Sequence, residues 1–233
     1  MSTKPVHGPD ELRHLELLRE AQQLLADALN SLGGKTPATA EAAYLGWAAV
    51  HVNRAAEGYL WLRDSCRVAA SKLLVRPALE ATFAGIAVIK NPSLLFRKAY
   101  SEWEEDKKMF ATDDIGRNQA DKALEELKRT FQTNCPNCLV DCKRLTVRDA
   151  ADAAGFVENY ESAYRTYCQF THGAMRAVLG HLDDATDEID TPIVTWCVLQ
   201  MLDHLQTDTP AQIPDLVPFR KRLLYPEATI HAA

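Results

Sequence analysis

Leucines at positions 12, 15, 18, 25, 29 and 32 of GPDELRHLELLREAQQLLADALNSLGG recur mostly at three- and four-residue spacing. That period places them on one helical face, and the closing glycine pair can take a left-handed cap. KTPATAEAAYLGWAAVHVNRAAEGYLWLRDS predicts a second helix, starting at Thr36–Pro37 or Thr39, with Tyr44, Trp47, Tyr59 and Trp61 as core or interface anchors. VAASKLLVRPALEATFAGIAVIK is apolar on almost every face, as a central helix is, and Pro77 marks a kink or a fresh start within it. Asn91–Pro92 breaks the chain. SLLFRKAYSEWEEDKKMFA and NQADKALEELKRTFQ then alternate apolar and charged faces, as outer helices do.

Further on, TVRDAADAAG predicts a short helix with Thr146 as N-cap, Asp149 at the capping-box position and Gly155 as terminator. Residues 156–180 predict another helix, and Thr191–Pro192 the start of a last apolar one containing Trp196, Leu199, Met201 and Leu202. Strand alternation is nearly absent. The expectation is an all-α fold, a single helical bundle of about seven or eight helices over residues 1–233. A cysteine-containing loop at 133–145 interrupts it, and an irregular proline-bearing tail follows from 207.

Composition narrows the picture. A chain of 233 residues that is 47% hydrophobic can bury one sizeable core. A formal charge of −6 and a pI near 5.7 exclude a broadly basic nucleic-acid surface while leaving room for a small local one. The polar start MSTKPVHGPDELRHLE lacks a signal pattern, and the longest uncharged apolar stretch, TPIVTWCVLQML, falls short of the ~20 residues of a membrane span. The expected setting is therefore cytoplasmic, with no membrane partner. Six cysteines without a secretion signal read as reduced thiols or metal ligands. In CPNCLVDC, Cys135, Cys138 and Cys142 have the two-residue gap of a metal knuckle. Zinc would need a fourth ligand from Cys66, Cys168, Cys197, a histidine or another subunit. The competing reading is a polar loop with incidental thiols and no cofactor.

The stretch ESAYRTYCQFTHG carries the candidate chemistry. Seven helical steps turn through about 700°, leaving Arg165 and His172 roughly 20° apart in direction and ~10.5 Å apart along the axis. A neutral imidazole can take the proton of a ribose 2′-hydroxyl while a guanidinium stabilises charge on phosphorus, and the scheme needs no metal. Arg76 and Glu80 stand four apart in the otherwise apolar central helix, a spacing that allows an ion pair. Together with Tyr164, Arg165 and His172 they form a candidate polar cluster, either a site or a network that fixes helix packing. Cys168, four residues before His172, is expected to pack as a small hydrophobe.

Arg165, six residues and His172 resemble the motif of the higher eukaryotes and prokaryotes nucleotide-binding (HEPN) superfamily of helical nucleases. Its members use an arginine, four to six intervening residues and a histidine. Many have asparagine after the arginine, where Thr166 stands here. Over roughly 66–180, RPALEATFAGIAVIKNPSLLFRKAYSEWEEDKKMF and LTVRDAADAAGFVENYESAYRTYCQFTHG also resemble a bacterial domain-of-unknown-function family. Its arginine–glutamate helix and tyrosine-to-histidine helix correspond to Arg76, Glu80, Tyr164 and His172. The first resemblance implies a metal-independent ribonuclease in a toxin or defence role, with RNA or a nucleotide as partner and a homodimer across the site. The alternatives are a non-catalytic interaction or scaffold bundle, and a metal- or redox-responsive module built on the cysteine loop.

Overall fold

The computed structural model describes residues 9–65, 67–109, 114–134, 144–171 and 183–224. Among these residues there are nine helices and no strand, against the seven or eight helices expected. Helix α1 (Pro9–Leu32) ends where Gly34 adopts a φ of 76°. Helix α2 (Ala40–Asp64) begins at Thr39, whose hydroxyl accepts the Ala42 N–H at 3.1 Å. Two short helical turns, Val68–Ser71 and Lys72–Leu74, lead into α3 (Val75–Lys90). Pro77 falls in the first turn of α3, where its missing N–H leaves no intrahelical bond unmade.

Helix α3 is the centre. Residues Ala81–Val88 are buried on every face, as the apolar run predicted. Its main neighbours are α2, the long α8 (Asp183–Asp208) and α6 (Val147–Ala154), while α1 packs on α8 and α2. The α2–α3 contact is close. A Cβ placed on Gly85 would lie 2.7 Å from the Ala48 Cβ, so the absent side chain sets the separation. The charged helices α4 (Leu94–Met109) and α5 (Asp114–Asn134) pack on each other outside this core and are joined by Lys107–Asp121 at 2.6 Å.

Helix α6 has the expected ends. Thr146 accepts from the Asp149 N–H at 3.1 Å, Asp149 accepts from the Thr146 N–H at 3.2 Å, and Gly155 takes a φ of 81°. The chain then makes an α-helical turn, Val157–Asn159, and a π-helical turn, Tyr160–Tyr164, before α7 (Arg165–Thr171).

Two expectations change. Helix α8 starts at Asp183, upstream of Thr191–Pro192, with Pro192 in its interior. An interior proline costs ~3 kcal/mol. Buried hydrogen bonds at Asp190 and Thr191 hold the chain on its N-terminal side and offset that cost. Within the segment expected to be irregular, Val217–Leu224 forms α9, because Leu216 and Phe219 reach the core and Arg220 pairs with Asp203. The expected core or interface anchors divide: Tyr59 is fully buried, and Trp47 and Trp61 are 44% and 61% exposed on the outer face of α2.

Gly85 and Gly46, both inside helices, provide opposite tests. Gly85→Ala is expected to lose about 1–2 kcal/mol in urea unfolding, because overpacking against Ala48 outweighs the gain in helix propensity. Gly46→Ala, whose new methyl would meet nothing within 4 Å, is expected to gain about 0.5–1 kcal/mol.

Candidate functional site

Glu80 is the hub of the polar cluster. Its Oε1 accepts from Arg76 Nε at 2.8 Å, one turn back on α3, and from the Tyr164 hydroxyl at 2.7 Å. The Arg76 guanidinium lies 5.7 Å from the Tyr164 ring centroid, and Tyr160 stacks on Tyr164 at 5.1 Å. Phe83 meets Tyr164 edge-on and continues the aromatic packing through Phe156 to Trp196. Tyr164 is buried, while the Arg76 and Glu80 side chains keep 23% and 36% exposure, so the cluster lies at the edge of the core. Burial, reinforced by Glu80, pushes the Tyr164 phenol far above its ordinary range. Burial works against the Arg76 charge, but the hydrogen bond and charge of Glu80 outweigh it and raise its pKa.

Arg165 stands apart from this cluster. Its side chain is 66% exposed and donates to Glu161 at 2.7 Å, and Glu161 also lies 3.6 Å from Arg148. The hydrogen bond to Glu161 raises the Arg165 pKa, so the guanidinium stays charged. The five-residue cluster expected from sequence therefore contains Arg76, Glu80 and Tyr164 without Arg165. Adjacent helical residues point about 100° apart, so turning Tyr164 inward turns Arg165 away from Glu80. His172, Cys135, Cys138 and Cys142 lie outside the described residues.

A second polar network escaped the sequence reading. The Tyr167 hydroxyl donates to Asp190, whose side chain is fully buried, and the Tyr59 hydroxyl is 3.0 Å from that of Thr191. One turn beyond Tyr59, the buried Arg63 pairs with Glu11 and lies 5.8 Å from the Tyr59 ring centroid. Lys72 is also fully buried, on the turn that packs against α2 and α7. The available signal was a charge inside an apolar run, as with Lys72 in ASKLLV, but nothing in the linear pattern pairs Tyr167 with Asp190 or Arg63 with Glu11.

Of the two described cysteines, Cys197 packs in the core and Cys168 hydrogen-bonds with Tyr164 at its edge. Cys197 is fully buried, and desolvation, against the lowering effect of Thr82, pushes its thiol up to about 12. It is chemically quiet. Cys168 is half-buried beside Tyr164. Among the described residues no group of three or more His, Cys, Asp and Glu side chains could hold a metal ion. No described helix is long and apolar enough to cross a membrane.

A family model described as a family of unknown function, DUF5677, matches residues 43–189. That span runs from α2 into α8, beginning well before the 66–180 of the expected resemblance, and contains Arg76, Glu80, Tyr164, Arg165, Tyr167 and His172. No curated protein and no solved structure matches the chain.

The two tyrosine bonds are expected to differ in strength. Tyr164→Phe leaves Glu80 partly solvated and still paired with Arg76, for a loss of about 0.5–1.5 kcal/mol. Tyr167→Phe withdraws a donor from a fully buried carboxylate and is expected to cost about 1–3 kcal/mol. Urea unfolding of the two variants checks the order. Tyr164 also sets a pH dependence. A phenol whose folded pKa lies above its unfolded value of about 10 supports the fold below that pH and loses that support as pH rises beyond it. Stability is expected to fall above about pH 10, less steeply in Tyr164→Phe.

Proposed function

The chain belongs to the DUF5677 family of unknown function, and from its own site we propose that it handles RNA or a nucleotide, with Arg165 as the phosphate-binding group and His172 as its acid–base partner. One observation carries this reading. Arg165 presents a charged, largely exposed guanidinium on a helix whose inner face is anchored by Tyr164 and Tyr167. A cation on a fixed support is what a phosphate site requires, because orientation is settled before the ligand arrives. The π-helical turn immediately before Arg165 agrees with it, since such turns frequently accompany functional sites.

In this reading, His172 takes the proton of a ribose 2′-hydroxyl as its oxygen attacks phosphorus. The O2′–P bond forms as the P–O5′ bond breaks, and the His172 imidazolium returns its proton to the departing 5′-oxygen, while Arg165 compensates the charge on the non-bridging oxygens. Arg76, Glu80 and Tyr164 position the helix and do not touch the substrate. A homodimer across the site and a toxin or defence role extend the proposal through the resemblance to HEPN nucleases.

The second reading, a non-catalytic interaction bundle, is favoured by Glu80. Its carboxylate is satisfied by Arg76 and Tyr164 within the fold and calls for no ligand.

Cleavage of labelled RNA in EDTA separates the two. Arg165 is exposed, so Arg165→Ala is expected to stay within about 0.5 kcal/mol of wild-type stability, making it a cleaner probe than any core residue. Cleavage by the wild type, reduced at least about a hundredfold in folded Arg165→Ala and His172→Ala, supports the ribonuclease proposal. Absence of cleavage by the assembled wild type, or unchanged rates in both variants, overturns it and leaves the interaction bundle.

A further inference from the structure

Away from the Arg165 face, the C-terminal ends of α1 and α8 meet the first turns of α2 around a cavity of about 240 Å³. Leu29 and Leu32 of α1 and Gly46 and Val50 of α2 line it, with Pro37 and Pro210 from the adjoining segments. Gly46 is a mid-helix glycine whose absent Cβ would meet no atom within 4 Å, so the cavity reaches the α2 backbone. Glycine there weakens the helix by roughly 0.5–1 kcal/mol relative to alanine, yet no neighbour requires the small residue. At the analogous position in the core, Gly85, a neighbour does. The space beside Gly46 thus has no packing explanation.

The mouth is polar. Asp208 lies 3.1 Å from the His204 ring nitrogen, one turn back on α8, and the Thr209 hydroxyl donates to the Leu205 carbonyl at 2.6 Å. Lys35, exposed at the rim, pairs with no carboxylate among the described residues. An apolar void of about 150 Å³ suffices for benzene. The larger volume here, open at one side, has room for roughly six to nine chain carbons at interior packing density.

We propose that this cavity is a binding site for a small amphipathic carboxylate, with a medium-length aliphatic chain between α1 and α2 and its carboxylate at Lys35. Apolar walls give the chain its affinity, and the rim lysine selects an anionic head over a neutral or cationic one.

Calorimetric titration of the full chain with octanoate, octanol and octylamine, each below its micellar range, tests the site. One-to-one binding in the order octanoate, octanol, octylamine is expected. Affinity should rise roughly fourfold per methylene from pentanoate upward and level off once the cavity is full. Gly46→Leu should fill the space and weaken octanoate at least about tenfold while keeping or raising Tm. Ala43→Phe, at the exposed edge of the same wall, provides a second filling variant should the first not fold. Lys35→Gln should weaken octanoate about fivefold and leave octanol unchanged. The proposal is overturned by the absence of saturable binding to the wild type, by undiminished octanoate affinity in a folded filling variant, or by preference for octylamine.

Discussion

At Gly85, helix α3 approaches α2 so closely that one added carbon would sit 2.7 Å from the Ala48 Cβ, and alanines flank the contact on both helices. Small residues let the backbones approach, and the longer side chains then interdigitate around the contact. The rest of the bundle is arranged about this pair. Helix α8 packs on both helices, α1 packs on α2 and α8, and α6 packs on the far side of α3. A wider α2–α3 spacing would therefore be transmitted to all three neighbours. It would also separate the elements that carry Tyr59 and Glu80 from those that carry Thr191 and Tyr164.

Those cross-helix bonds make the apolar core specific. Hydrophobic burial draws α7 onto the bundle without choosing its rotation. Two tyrosines choose it: Tyr164 reaches Glu80 on α3, and Tyr167 reaches Asp190 on α8. A buried carboxylate is costly without donors, so a rotated α7 would take the Tyr167 donor from the fully buried Asp190 and the Tyr164 donor from Glu80. The same logic explains the proline inside α8. Asp190 and Thr191 are each held from across the core, and the chain stays helical through Pro192 although its own backbone would favour a start there.

Local signals in the sequence were read well, and non-local ones poorly. Thr39, Thr146, Asp149 and Gly155 act within a few residues of themselves, so the ends they cap were legible. The unbroken apolar run of α3 declared its central place, and Arg76–Glu80, an i,i+4 pair, was visible as spacing. The approach of Tyr164 to Glu80 came through resemblance, since 84 residues separate them and no periodicity links them. The Tyr167–Asp190 and Tyr59–Thr191 bonds leave no trace in the linear pattern for that same reason, and Pro192, a start signal locally, lies inside α8 because those bonds act across the core. Arg165 stands apart from Glu80 because helical neighbours point about 100° apart and its guanidinium reaches Glu161 one turn back.

Three arginines show how the fold divides its cations between structure and availability. Arg63 is 1% exposed and Arg76 23%, and each is engaged by a carboxylate and by a tyrosine face, so both are built into the packing of the fold. Arg165 is 66% exposed and, among the described residues, pairs with Glu161, an ion pair of the solvent-screened surface kind. Under the proposed function, a phosphate would bring more negative charge than that carboxylate and accept two guanidinium N–H groups at once, and so would compete with Glu161 for Arg165. Displacement need not disturb the fold, because the bonds that orient α7 run from Tyr164 and Tyr167 and bypass Arg165 altogether. The arrangement leaves one cation of the cluster region exchangeable while the tyrosines on either side of it hold the helix in place.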